Sequence, residues 1–169
     1  MRYLAMAVVT VFVMSASVRA DEEKVPLDKV PKAVLESAKK RFPKAEVVGA
    51  STEKVGDKTV YEIELKQDGK TIDVTLTPEG VITTIEQQID AKDLPKPVAE
   101  ALEKKYPKAT YTIIEAVYAV KDGKETLDFY ETILVTADKK EMEVQVFADG
   151  KIKAEEEKKP EKKEEKNDK

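Results

Sequence analysis

Val30-Pro31-Lys32-Ala33-Val34-Leu35-Glu36-Ser37-Ala38-Lys39-Lys40-Arg41-Phe42-Pro43-Lys44-Ala45 returns as Leu94-Pro95-Lys96-Pro97-Val98-Ala99-Glu100-Ala101-Leu102-Glu103-Lys104-Lys105-Tyr106-Pro107-Lys108-Ala109. The offset is 64 residues, both from Pro31 to Pro95 and from Pro43 to Pro107. Recurrence at this spacing means one folding unit used twice. Val30, Val34, Ala38 and Phe42 recur at helical spacing, as do Leu94, Val98, Leu102 and Tyr106. Each set is one apolar stripe on a helix, with Lys39, Lys40 and Arg41, or Glu103, Lys104 and Lys105, on the wet side. Pro31 and Pro95 suit the first turn, where a missing amide costs nothing. Pro43 and Pro107 stop the helix.

Beyond each helix the period changes to two. Ile72, Val74 and Leu76 alternate with Thr71, Asp73 and Thr75, and Met142, Val144 and Val146 alternate with Glu141, Glu143 and Gln145. Such alternation describes a strand with one buried face. Tyr61-Glu62-Ile63-Glu64-Leu65 and Tyr130-Glu131-Thr132-Ile133-Leu134 read as the preceding strands. Turn chemistry counts the rest. Gly56-Asp57, Asp68-Gly69 and Pro78-Glu79-Gly80 punctuate the first unit, and Asp122-Gly123, Asp138-Lys139-Lys140 and Asp149-Gly150 the second. The expected fold class is α+β: two tandem repeats, residues 25–88 and 89–154, each a helix followed by a four-stranded antiparallel meander. The helices lie on one face, and the two sheets can join edge to edge. Val34, Ala38, Phe42, Val74 and Leu76 are expected in the core, with Val98, Leu102, Tyr106, Val144 and Val146.

The two ends read differently. Arg2, the apolar run Leu4 to Met14 and the small residues before Asp21 form a secretory signal over residues 1–20. The run is too short to span a membrane, which needs about 20 apolar residues. The expected location is therefore periplasmic or extracellular, with no membrane span in the mature chain. Residues 155–169 are almost wholly Glu, Lys and Asp, interrupted by Pro160 and Asn167, and read as a disordered tail. Removing Arg2 and Arg19 leaves 28 basic against 34 acidic residues, a net charge of about −6. That sign repels phosphate backbones and argues against nucleic acid as a partner. With no Cys, the exported chain relies on its core alone.

The apolar–Pro–x–x–Val start and aromatic–Pro–x–Ala end of each helix, with Tyr61-Glu62, Asp73-Val74 and Gly80 and their counterparts Tyr130-Glu131, Glu143-Val144 and Gly150, resemble the PepSY-like family. That family is similar in architecture to the exported β-lactamase inhibitor protein. The resemblance runs from Val25 to about Ala154. It implies an exported, non-catalytic domain that binds or inhibits envelope enzymes such as peptidases. No catalytic residues come with it.

The chemistry available is sparse. There is no His and no Cys, so the commonest general base and the thiol nucleophile are missing. After the signal the only serines are Ser37 and Ser51, neither in a Gly–x–Ser–x–Gly turn. Zinc and copper sites recruit imidazole or thiolate, and no glycine-rich phosphate loop occurs. No catalytic residue, metal or cofactor is therefore expected. Carboxylates remain. Glu62, Glu64 and Asp73, and Glu131, Glu141 and Glu143, read as the solvated face of a half-buried sheet, as an acid/base pair or as a hard-cation site.

The open faces of the two units differ. In the first unit the face carries Glu62, Glu64, Thr71, Asp73 and Thr75. In the second it carries Phe129, Ile133 and Phe147 beside Glu131 and Glu143, if Tyr130 is core as Tyr61 is. Exposed aromatics next to carboxylates suit a protein-binding surface. The competing reading puts Phe129 in the core. The expected function is a binding module that engages an envelope or secreted protein through this face, as inhibitor or regulator. The alternatives are a scaffolding role and a carboxylate-based calcium or small-ligand binder.

Overall fold

A computed structural model describes residues 23–158. Helix α1 (Lys32–Arg41) and helix α2 (Lys96–Lys105) stand 64 residues apart, each preceded by a short 3-10 turn, Leu27–Lys29 and Ala91–Asp93. The prolines sit one residue earlier than expected. Pro31 and Pro95 are the extended cap residues, and their carbonyls accept the amides of Val34 and Leu35, and of Val98 and Ala99. At the other end the amides of Phe42 and Tyr106 donate to Ala38 and Leu102. Pro43 and Pro107 follow and prevent continuation.

The strands are β1 (Glu23–Lys24), β2 (Glu46–Val55), β3 (Lys58–Gln67), β4 (Lys70–Leu76), β5 (Ile82–Gln88), β6 (Thr110–Lys121), β7 (Lys124–Val135), β8 (Glu141–Val146) and β9 (Ile152–Glu157). They form one nine-stranded sheet in sequence order, every pair antiparallel. The turns fall where Gly56-Asp57, Asp68-Gly69, Asp122-Gly123 and the other signals place them.

The α+β expectation of two repeats, each a helix with its own four-stranded meander, is corrected by this sheet. Two ten-residue helices ride on nine continuous strands, so the architecture is predominantly antiparallel β. Two features make it one sheet: the edge-to-edge join and an extra strand. β5 pairs with β6 from Thr84↔Ala119 to Gln88↔Glu115, across the boundary drawn at residue 88. β1 adds a strand ahead of α1 through Glu23↔Thr52 and Lys24↔Ser51, and no turn signal announces it. The physical reason is the edge: a β5 left unpaired would expose a full row of amides and carbonyls.

Both helices pack on the same side. Val34, Ala38 and Phe42 cluster with Ile63, Leu65, Val74, Leu76 and Ile85, and Val98 and Leu102 cluster with Ile114, Leu134, Val144 and Val146. The register carries that face through the middle of the sheet, because Val74 pairs with Ile85 and Ile85 with Tyr118. All the expected core residues are buried except Tyr106, which is half-buried.

The expected tail also begins too early. Glu155, Glu156 and Glu157 belong to β9, paired with Val144, Glu143 and Met142. Glu155 accepts the Tyr106 hydroxyl at 2.6 Å and an ion pair from Lys105, which fastens the last strand to the end of α2. The signal at residues 1–20 and the tail beyond Lys158 lie outside the described residues.

A second ionic link joins α1 to the β6–β7 hairpin. Arg41 grips Glu125 with two hydrogen bonds, 2.7 and 2.9 Å long. The Arg41 bond holds the Glu125 carboxyl below its ordinary 4.5, and bonds from Lys105 and Tyr106 do the same for Glu155. Depressed folded-state values mean that the fold binds fewer protons than the unfolded chain. Their contribution is present above about pH 4.5 and is lost as pH falls through the lower folded values. A Glu125→Gln/Glu155→Gln variant should therefore show a flatter acid limb in melting temperature against pH. Parallel acid limbs for variant and parent would show that these links add no stability.

Candidate functional site

The face turned away from the helices is built by register. One cross-strand row runs Gly49, Glu64, Asp73, Glu86, Val117, Phe129, from β2 to β7. A second runs Gln88, Glu115, Glu131, Gln145, Ala154, from β5 to β9. A third holds Ile113, Ile133, Glu143 and Glu156. The face is thus acidic over β3 to β5 and mixed acidic and apolar over β6 to β9. Neither α1 nor α2 lies on it.

Register brings four of the residues singled out from sequence, Phe129, Glu131, Ile133 and Glu143, onto this face together. Phe147 follows Val146, the register partner of Tyr130, and stands beside Phe129. Lys153 bridges the two rings, with its Nζ 3.5 Å from the Phe129 centroid and 5.9 Å from that of Phe147. The same ammonium lies 3.3 Å from Asp128 Oδ2.

The expected exposure is corrected for Phe129, Ile133 and Glu131. Phe129 is only 8% exposed and Ile133 only 9%, while Phe147 at 36% is open. Phe129 is neither under a helix nor bare, because the Lys153 ammonium lies over its ring.

Glu131 is 5% exposed and Glu115, directly opposite, 7%. Gln145 Nε2 donates to Glu131 Oε2 at 2.9 Å. Carboxylate oxygens of Glu86, Glu115 and Glu131 all come within 4.8 Å of one another. Among the described residues this is the set with the spacing and oxygen chemistry to hold a hard divalent cation. Glu143 takes an ion pair from Lys158 at 3.8 Å. Sequence reasoning missed Glu86, Glu115, Val117 and Lys153. The alternation of Ile113, Glu115 and Val117 against Ile114, Ala116 and Tyr118 carried the signal for two of them.

At the β1–β3 end a cavity of about 190 Å³ is lined by Lys24, Val48, Gly49, Ala50, Ser51, Glu62 and Glu64. Small-molecule sites usually enclose about 300–1,000 Å³. The face therefore suits a broad partner better than an enclosed substrate.

The family model described as "Putative beta-lactamase-inhibitor-like, PepSY-like" matches residues 16–84 and 73–157. No curated protein matches the chain. Among solved structures, the chain is similar to a Bacteroides eggerthii protein described as "putative periplasmic". The TM-score is 0.61 at 14% identity, covering 76% of this chain and 88% of that one. A DUF2874 family protein of Bacteroides uniformis follows at TM-score 0.59 and 15% identity, with coverage of 75% and 88%. A BLIP-like protein of Bacteroides fragilis gives TM-score 0.53 and 16% identity, with coverage of 74% and 84%. At these identities the likeness is one of fold.

Proposed function

Because the chain belongs to the PepSY-like, beta-lactamase-inhibitor-like family, we propose that it is an exported, non-catalytic binding module that engages an envelope or secreted protein through its open sheet face. The observation that carries this reading is the face itself. It is continuous from β2 to β9, uncovered by α1 and α2, and presents the exposed Phe147 and Ile113 beside carboxylates. A wide surface with an aromatic anchor and charged surroundings matches the anatomy of protein interfaces. An exported location agrees with the signal read at residues 1–20 and with the periplasmic description of the Bacteroides eggerthii protein. No helix among the described residues is long and apolar enough to cross a membrane. Inhibition or regulation of the partner is the role that the family description favours.

Phe147 is the residue to test, because it is exposed and outside both core clusters. Phe147→Ala should weaken partner capture from an envelope extract about tenfold or more, within the range of interface hot spots, without changing the melting temperature. Equal capture by parent, Phe147→Ala and Phe129→Ala proteins would remove this face from consideration.

A further inference from the structure

We propose that the cavity over β1, β2 and β3 binds a free α-amino acid, its carboxylate turned to Lys24 and Ser51 and its ammonium to Glu64. The site lies at the opposite end of the face from Phe147, and the inference does not depend on the protein-binding reading. The two units share one framework here and fill it differently. Lys24, Gly49 and Ser51 correspond to Gln88, Ile113 and Glu115, each 64 residues further on. The register repeats with them. Lys24↔Ser51↔Glu62 matches Gln88↔Glu115↔Glu131, and Gly49↔Glu64 matches Ile113↔Ile133. The bulge recurs as well, between Val47 and Gly49 and between Tyr111 and Ile113. Where the second unit has two isoleucines, the first has a bare glycine and a carboxylate, and there the cavity of about 190 Å³ opens. Unlike the turn glycines, Gly49 has no left-handed backbone, so what its missing side chain provides is room. A Cβ there would come 3.0 Å from Glu64 Oε2, which places that carboxylate over the glycine.

The cavity wall carries both signs of charge. Lys24 and Glu64 line it together, yet among the described residues no ion pair joins them. Ser51, also on the wall, is 4% exposed, so its side chain is withdrawn from bulk water. A ligand with an ammonium and a carboxylate close together engages both charges at once. Hydrogen bonds to ionised groups are the strong ones, and partial withdrawal from water strengthens them further. Val48 and Ala50 complete the wall with apolar surface, which suits a short aliphatic side chain. The cavity is smaller than the about 300–1,000 Å³ of drug-sized sites, which limits the occupant to a few non-hydrogen atoms. A small zwitterion such as alanine or glycine meets these conditions.

The test is isothermal titration calorimetry on the purified protein with alanine and glycine. Alanine amide and N-acetylalanine, which each lack one of the two charges, are the controls. Alanine should bind saturably, and each control should bind about tenfold or more weakly, the scale of one lost charged hydrogen bond. A Gly49→Ile/Glu64→Ile variant installs the second unit's filling in the first and should abolish binding. Lys24→Gln, outside both core clusters, should weaken alanine by about tenfold or more. Phe147→Ala, at the far end of the face, should change it by less than about twofold. Melting temperatures equal to the parent's separate lost binding from lost folding, and Lys24→Gln decides the matter if the double variant does not fold. No saturable binding of either amino acid at millimolar concentration would overturn the proposal. So would alanine amide or N-acetylalanine binding as well as alanine, which would assign the cavity to a peptide end. Alanine binding that survives both Gly49→Ile/Glu64→Ile and Lys24→Gln would place the ligand elsewhere and overturn it too. None of these outcomes bears on partner capture through Phe147, so the two readings fail separately.

Discussion

Gly80→Ala is expected to lower the unfolding free energy by about 2–5 kcal/mol, the combined scale of left-handed backbone strain and overpacking. Gly80 has φ +82°, and a Cβ there would lie 2.5 Å from the Ala33 carbonyl oxygen and 2.9 Å from Ser37 Oγ. The β4–β5 turn therefore presses its backbone directly against the first turn of α1, and a side chain cannot fit without lifting one from the other. Gly150 repeats the contact on α2, with φ +87° and a Cβ position 2.6 Å from the Pro97 carbonyl oxygen. Gly56 and Gly123 supply the control. Their φ values are +63° and +73°, but nothing lies within 4 Å of their Cβ positions. Alanine there should cost only the backbone strain, about 1–2 kcal/mol. The measurement is the denaturant midpoint of each variant. Equal losses at Gly80 and Gly123 would show that the turn does not hold the helix.

Much of this arrangement is legible in the sequence because it is local. The spacing of Val34, Ala38 and Phe42, the prolines around them and the Asp-Gly turns act within a few residues, and the helices and turns fall where those signals put them. What was not legible is non-local. That the two sheets can join edge to edge follows from the need to cover an open edge, but nothing in Ile82–Gln88 or Thr110–Lys121 gives the register of that pairing, because hydrogen bonding leaves no side-chain signature beyond ordinary alternation. Glu23–Lys24 is shorter than any period that can be read. The start of the tail was misplaced for a related reason. Glu155 looks like solvated charge by composition, yet its oxygen is fixed by Lys105 and Tyr106, about 50 positions earlier in the chain.

The candidate site divides in the same way. The phase of β7 puts Phe129, Glu131 and Ile133 on the face away from α2, and that much follows from alternation alone. Their burial does not follow. Over the Phe129 ring lies the ammonium of Lys153, which stands at a bulge in the β8–β9 pairing, and a bulge shifts phase without a sequence mark. Glu86 joins Glu115 and Glu131 only through the β5–β6 pairing, so this carboxylate group was invisible until that pairing was known.

Phe42→Ala is expected to cost about 3–5 kcal/mol, the range for deleting a buried aromatic side chain. Phe42 is 7% exposed and closes the α1 stripe against the first core cluster. Its amide also caps the helix by donating to Ala38, an interaction that the substitution keeps, so the loss measures packing and not capping. One further effect sits on the ring. The Arg41 guanidinium lies 4.6 Å from its centroid while gripping Glu125. Removing the ring frees the arginine and should weaken the clamp between α1 and the β6–β7 hairpin. Phe42→Ala and Glu125→Ala should therefore fail to add, with a coupling above about 0.5 kcal/mol in a double-mutant cycle. Phe42→Leu, which keeps most of the volume, should lose less than half as much as Phe42→Ala. If the two losses add and Phe42→Ala barely moves the denaturant midpoint, α1 is held by its turn and its ion pair and not by its apolar stripe.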